Sequence, residues 1–204
     1  MEKFLKRNLE ILHGSCDPLW IEAAAQALVS QSALIQSDAV LRYPAMNTGS
    51  AFISELSHAV ETDAALLAGV LYRIEHGIFL CDVNHVALPV FAHLMRFRTG
   101  MEIYYSTSIG PRFRIMHGQG VVIGPRNRIG SDFTIYQGVT LGQRRQFSSE
   151  ETMTIGDRCQ IFAGAKVIGC LQITDDVRIG ANAVLLDNAL TSGTYVGIPA
   201  KKIS

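Results

Sequence analysis

The sequence predicts an α+β protein, with an N-terminal α-helical region followed by a parallel β-helix of hexapeptide repeats. Three observations carry that prediction. Residues 1–99 set apolar side chains at helical spacing, with cap and break signals between the segments. From Ile103 onward an isoleucine, leucine or valine falls at 103, 109, 115, then 123, 129, 135, 141, then 155, 161, 167, 173, 179 and 185, a step of six within each run. Glycine follows directly at 110, 124, 130, 142, 156 and 180.

The helical part reads in order. The opening "MEKFLKRNLEILHG" is amphipathic and lacks the apolar core of a secretion signal. Asp17-Pro18 is an N-cap followed by proline at the first helical position, and apolar residues then keep helical spacing from Leu19 through Ile35. "RYPAMNTGS" breaks the pattern. "SAFISELSHAVET", "DAALLAGVLYRIEHGIFL" and "NHVALPVFAHLMRF" give further helices, with Pro89 placed near a first turn where it is tolerated. Residues 64–97 carry Arg73, Glu75, His76, Asp82, His85 and Arg96, which argues against a membrane span. "RTG" ends this domain, setting the domains at 1–99 and 100–204.

No α-helix repeats every six residues, and strand alternation alone does not place glycines at this spacing. A six-residue repeat predicts short flat strands joined by tight turns, three to a coil, with the aliphatic side chains stacked inward. Small residues recur four after the aliphatic one, at Thr107, Val139, Cys159, Ala165, Val177 and Ala183, while Phe113, Gln119 and Phe133 depart from the rule. The period slips by two residues between Ile115 and Ile123, around His117, and by eight between Leu141 and Ile155. Insertions in solenoids become loops on one face. The second slip predicts an arm over 143–154.

Composition excludes several classes. Eighteen basic and eighteen acidic residues balance, so nothing points to nucleic acid or an acidic membrane surface. Apolar residues make up 48% of the chain, which suggests a buried subunit interface. Cys16, Cys81, Cys159 and Cys170 form no CxxC pair and no zinc-spaced cluster. They read as reduced thiols of a cytoplasmic protein. A zinc enzyme on a solenoid needs three histidines from neighbouring coils, and of the six histidines only His117 lies in the repeat half, so no metal is expected.

"YRIEH" (72–76), "MHGQGVVIG" (116–124), "IYQGVTLG" (135–142), "FAGAKVIG" (162–169), "IGANAVLL" (179–186) and "VGIPAKKI" (196–203) resemble the signatures of the serine acetyltransferase family. The resemblance implies a left-handed β-helix, acetyl-CoA as co-substrate, and homotrimers often paired into hexamers through the helical half. It implies that His117 is the general base and Glu102 the carboxylate that orients it. It implies a CoA groove with Gly142, Ala163 and Ala181. Lys201 and Lys202 are candidates for neutralising the CoA phosphates, or a charged tail. Arg144 and Arg145 on the arm are candidates for the CoA phosphates or the acceptor.

Departures from the family pattern bear on the acceptor. Met116 stands where the family keeps an aspartate, and Glu151 and Thr152 stand where it keeps an Arg-His pair serving the serine carboxylate. An anion at 151 repels a free carboxylate. "MHG" and "DFTI" (132–135) resemble the polysaccharide-type branch, such as the colanic-acid enzyme, whose acceptor is a sugar hydroxyl. The end at Ser204 is read the same way, without the tail that docks the next enzyme of cysteine synthesis. The expectation is therefore an acetyl-CoA-dependent O-acetyltransferase acting on a small-molecule or sugar hydroxyl. L-serine is the alternative acceptor, and an idle trimeric scaffold the non-enzymatic one.

The residues themselves support acetyl transfer. A hydroxyl must lose its proton as it attacks a thioester, and a histidine titrating near neutrality suits that role. A carboxylate behind it would fix its tautomer. Glu102 lies fifteen residues earlier, which predicts neighbouring positions on adjacent coils. Gly118 and Gly120 are expected to offer backbone N–H groups to the oxyanion.

Overall fold

The computed structural model describes residues 1–46, 48–144 and 152–204. The chain divides into two compact units, Met1–Thr99 and Gly100–Ser204.

The first unit is helical: α1 (Glu2–His13), α2 (Pro18–Ser30), α3 (Ser32–Arg42), α4 (Phe52–Thr62), α5 (Ala64–Cys81) and α6 (Leu88–Thr99). Helix α1 stops at Gly14, which adopts φ 74 and donates its N–H to Glu10 O, a left-handed C-cap that glycine takes without steric cost. Asp17 caps α2 as its sequence suggests, accepting the Leu19 N–H at 2.9 Å. The apolar run from Leu19 to Ile35 is not one helix. It breaks at Gln31 (φ −99, ψ 5), between α2 and α3. Asp63 caps α5, its Oδ1 accepting the N–H groups of Ala65 and Leu66 at 3.0 Å each.

Helix α5 is the core of this unit and packs against α2, α3, α4 and α6. Gly77 lets α2 come close, since a Cβ there would lie 2.9 Å from Ala27 Cβ. Arg73 is wholly buried, paired with Asp38 at 2.9 Å and lying over the Tyr72 ring. Taken alone, α5 is long and apolar enough to cross a membrane, because Arg73 and Glu75 are its only Asp, Glu, Lys or Arg residues; His76 also lies in it, while Asp82, His85 and Arg96 fall outside it. It is 72% buried within the unit, as the central helix of a bundle is.

The second unit is a parallel β-helix. One sheet holds β1 (Glu102–Ile103), β4 (Val122–Ile123), β7 (Thr140–Gly142), β10 (Lys166–Ile168) and β13 (Val184–Leu185). A second holds β2 (Ser108–Ile109), β5 (Arg128–Ile129), β8 (Thr154–Ile155) and β11 (Gln172–Ile173). The third holds β3 (Arg114–Met116), β6 (Thr134–Tyr136), β9 (Gln160–Ile161), β12 (Val177–Ile179), β14 (Gly193–Val196) and an antiparallel last strand, β15 (Lys201–Lys202). In the first sheet Ile103, Ile123, Leu141, Val167 and Leu185 are in register, so successive coils take 20, 18, 26 and 18 residues. The two slips in the period are thus two enlarged coils. All thirteen aliphatic positions are buried.

Phe113 and Phe133, too large for the small-residue slot, compensate by stacking on each other at 5.9 Å. Gln119 is exposed because the slip moves the inward slot to Val121, which is fully buried. At the corner between the second and third sheets, Arg112, Asp132, Arg158 and Asp176 all adopt left-handed φ values of 56–59°. They pair as Arg112–Asp132 and Arg158–Asp176 on the surface.

Candidate active site

The corner where the third sheet passes to the first organises the candidate site. Met116 is in register with Tyr136, and Val122 with Thr140. Between those rungs the lower coil fits His117, Gly118, Gln119, Gly120 and Val121, and the upper coil only Gln137, Gly138 and Val139. The two extra residues therefore make a bulge, and His117 stands at its start, exposed and at φ 62. A non-glycine residue adopts that conformation only where its surroundings hold it.

The holding contacts are visible. Gly118 is buried at φ 85, and a Cβ there would lie 2.2 Å from Met101 Cε. Its N–H donates to Met116 O at 2.7 Å, and its C=O accepts the Val121 N–H at 2.9 Å. The Gly120 N–H donates to Gly100 O at 3.0 Å. These bonds correct one expectation: both glycine amides brace the bulge and neither is offered to an oxyanion.

Glu102 lies half-buried on β1, its N–H bonded to Val121 O. The expected relation to His117 also changes. The coil that starts at Glu102 returns above it only at Val122, because the slip lengthens it to 20 residues. Glu102 and His117 thus sit at the two ends of one coil rather than on adjacent coils.

Above the bulge, the same corner carries Gln137, Ala163 and Ala181 in successive coils. Gly138 donates to Gln119 O, Gly164 to Gln137 O and Asn182 to Ala163 O, all at 2.8–2.9 Å. Ala163 and Ala181 therefore rise in line from His117. Gly142 does not share this corner; it closes β7 at the far edge of the first sheet, in register with Ile168. Lys201 and Lys202 are exposed on β15, Lys201 opposite Val196. Arg144 is engaged by the protein: its guanidinium lies against Gly169 and donates to Leu186 O two coils up. The C=O of Thr152 accepts the Cys170 thiol at 2.9 Å. Arg145 and Glu151 lie outside the described residues. Among the described residues no group of three or more His, Cys, Asp and Glu side chains is placed to hold a metal ion.

Sequence reasoning named Met116 at this corner but passed over Tyr136, Phe162 and Lys166. Met116 heads an outward ladder with Tyr136 and Phe162, whose rings stack at 5.0 Å. The six-residue count could have found them, since each follows an inward isoleucine (115, 135, 161). Lys166 also reaches the corner, its Nζ donating to Gly138 O at 2.5 Å and Thr140 Oγ1 at 3.1 Å.

A triangular solenoid with a histidine raised on a bulge beside a column of small corner residues defines a hexapeptide-repeat acyltransferase. No family model matches the chain. The serine acetyltransferase of Helicobacter pylori strain J99 is 45% identical over 133 residues, covering 65% of this chain and 77% of that protein. That of Staphylococcus aureus strain Mu50 is 42% identical over 140 residues, covering 69% and 65%.

Solved structures agree in fold. Neisseria gonorrhoeae serine acetyltransferase superposes with a TM-score of 0.80 at 24% identity, over all of this chain and 77% of the other. A serine acetyltransferase in complex with CoA gives 0.65 at 25%, over 92% and 70%. The soybean enzyme complexed with serine gives 0.71 at 27%, over 86% and 73%. The chain belongs to the serine acetyltransferase family. It is an acyltransferase on a left-handed β-helix, of the class that moves acetyl from acetyl-CoA to a hydroxyl oxygen.

Proposed function

We propose that the chain transfers acetyl from acetyl-CoA to the hydroxyl of L-serine, with His117 as general base. The observation that carries the acceptor is the 45% identity over 133 residues to an enzyme named for serine. The likeness to a soybean enzyme solved with serine supports it. This reverses the order drawn from the sequence, where a non-serine hydroxyl came first.

The chemistry follows from the corner. His117 accepts the proton of the serine hydroxyl as its oxygen bonds to the thioester carbon. The C–S bond then breaks, and the imidazolium returns the proton to the CoA sulfur, leaving O-acetylserine and free CoA. Glu102 orients the imidazole and stabilises its charged form. CoA lies along the corner past Ala163 and Ala181, where small side chains leave room for an extended chain. Lys201 and Lys202 meet its phosphates, Gly142 belongs to the CoA groove, and Arg144 and Thr152 are the described arm residues offered to the acceptor. Homotrimers, paired into hexamers through the helical unit, are the assembly, and the cytoplasm is the compartment.

One observation favours a second acceptor class. Met116 beside His117 is uncharged and begins an apolar ladder with Tyr136 and Phe162, a surface suited to a sugar hydroxyl and not to an ammonium group. Thiol release from acetyl-CoA separates the two. With L-serine it should be fast, and about 10²–10⁴-fold slower in His117→Ala. Release with sugar acceptors but not with L-serine would establish the second class instead.

A further inference from the structure

We propose that Gln137 is a further binding residue for the donor, its side-chain carbonyl accepting the N–H of the cysteamine amide of acetyl-CoA and so setting the thioester beside His117. The proposal rests on acetyl-CoA as donor and is independent of which hydroxyl receives the acetyl group.

Gln137 occupies the corner one coil above the His117 bulge. Its C=O accepts the Gly164 N–H at 2.8 Å, and the next amide, Gly138 N–H, donates to Gln119 O at 2.9 Å. Oε1 of Gln137 is buried and has no hydrogen-bond partner among the described residues. Buried acceptors are rarely left so, and each one asks for an explanation. A buried acceptor that the protein leaves unpartnered is placed to take an N–H that a ligand brings.

The surroundings match one such N–H. On the rungs above Gln137 stand Ala163 and Ala181, small side chains that suit an extended chain along the corner, and the neighbouring column runs Gly138, Gly164 (φ 69 and 72) and Asn182, whose side-chain oxygen lies over Gly164. Lys166 is already committed to Gly138 O and Thr140 Oγ1, which stiffens the shelf. Parallel strands step by about 4.8 Å per coil. In acetyl-CoA the amide nitrogen is two carbons from the sulfur, a span of the same order. With the thioester at His117, that amide falls one coil up, at Gln137. Its N–H loses water on binding and needs an acceptor there.

The test reads CoA binding by titration calorimetry on the full chain, with Gln137→Leu, Gln137→Glu and a CoA analogue carrying an ester in place of the cysteamine amide. Gln137→Leu should weaken CoA about tenfold, the usual size for a lost buried hydrogen bond. Gln137→Glu, still an acceptor, should stay within about threefold. The wild type should prefer amide over ester about tenfold, and Gln137→Leu should not discriminate. Gln137→Leu should also melt no lower than the wild type, because it removes an orphaned polar atom. Unchanged CoA affinity in Gln137→Leu overturns the proposal. So does an equal loss in Gln137→Glu, which would make the buried atom a donor. A lower melting temperature or a changed oligomeric state in Gln137→Leu also overturns it, by giving the side chain a structural task. If the wild type itself fails to bind CoA, it is the donor reading that fails.

Discussion

At the residue scale, the corner concentrates its chemistry in a histidine that the backbone forces into solvent. Replacing His117 by alanine should lower kcat by about 10²–10⁴-fold while leaving CoA affinity near wild type, as loss of a general base does. Steady-state rates beside calorimetric titration check both halves. Cysteine chemistry is decided by burial. Cys159 fills a small-residue slot, and burial pushes its thiol up to about 11. Cys81 and Cys170 are exposed. Iodoacetamide at neutral pH should label Cys81 and Cys170 in the native protein and spare Cys159 until it is unfolded, since the thiolate is the reactive form. Peptide mass mapping reads the order.

At the element scale, the bulge and the α5 cap are the two features most exposed to single changes. Gly118→Ala meets both a left-handed φ and Met101 Cε at 2.2 Å, and should cost about 2–3 kcal/mol. Gly120 has the φ (73) but nothing nearer than 3.7 Å, so Gly120→Ala should cost only about 1 kcal/mol. Urea unfolding of the pair tests that ranking. Asp63 joins three tasks: it caps α5, pairs with Arg42 and accepts the Tyr43 hydroxyl at 2.6 Å. Asp63→Ala should cost about 2–3 kcal/mol, and Asp63→Asn less, because asparagine caps as well as aspartate but carries no charge for Arg42.

At the scale of the whole molecule, carboxylates in both units tie stability to pH. Burial works against the Asp63 carboxylate, but hydrogen bonds from Arg42, Tyr43 and the Leu66 N–H outweigh it and hold its pKa below the ordinary value. Asp132 is held low by its bond to Arg112, and Asp176 by its bond to Arg158. A carboxyl with a depressed folded pKa binds more protons when unfolded. Its stabilisation is present above the unfolded value, about 4, and is lost as pH falls through the folded one. Melting temperature should therefore be flat near pH 6 and fall below about pH 4, less steeply in Asp63→Asn. Salt should weaken the exposed Asp132 and Asp176 contributions more than that of Asp63. Equal sensitivity of all three would contradict that assignment.

The repeat was legible because its cause is local. Each inward isoleucine follows from the six-residue step, and even the coil lengths of 20 and 26 residues are the period plus its slips. His117 was legible for the same reason, as the residue at the first slip. What the chain does with a slip was not. The Gly118 amide turns back on Met116 and the Gly120 amide reaches Gly100 to brace the bulge, Arg144 spans two coils to Leu186, and α2 and α3 part at Gln31. The same holds for Gln137, whose buried oxygen is visible only once the coils are stacked. By itself the sequence determined the solenoid, its period and the histidine it displays. Tertiary structure decided which polar groups at that corner are spent on the fold and which remain for a ligand, because hydrogen-bond partners across coils lie about twenty residues apart and obey no local rule.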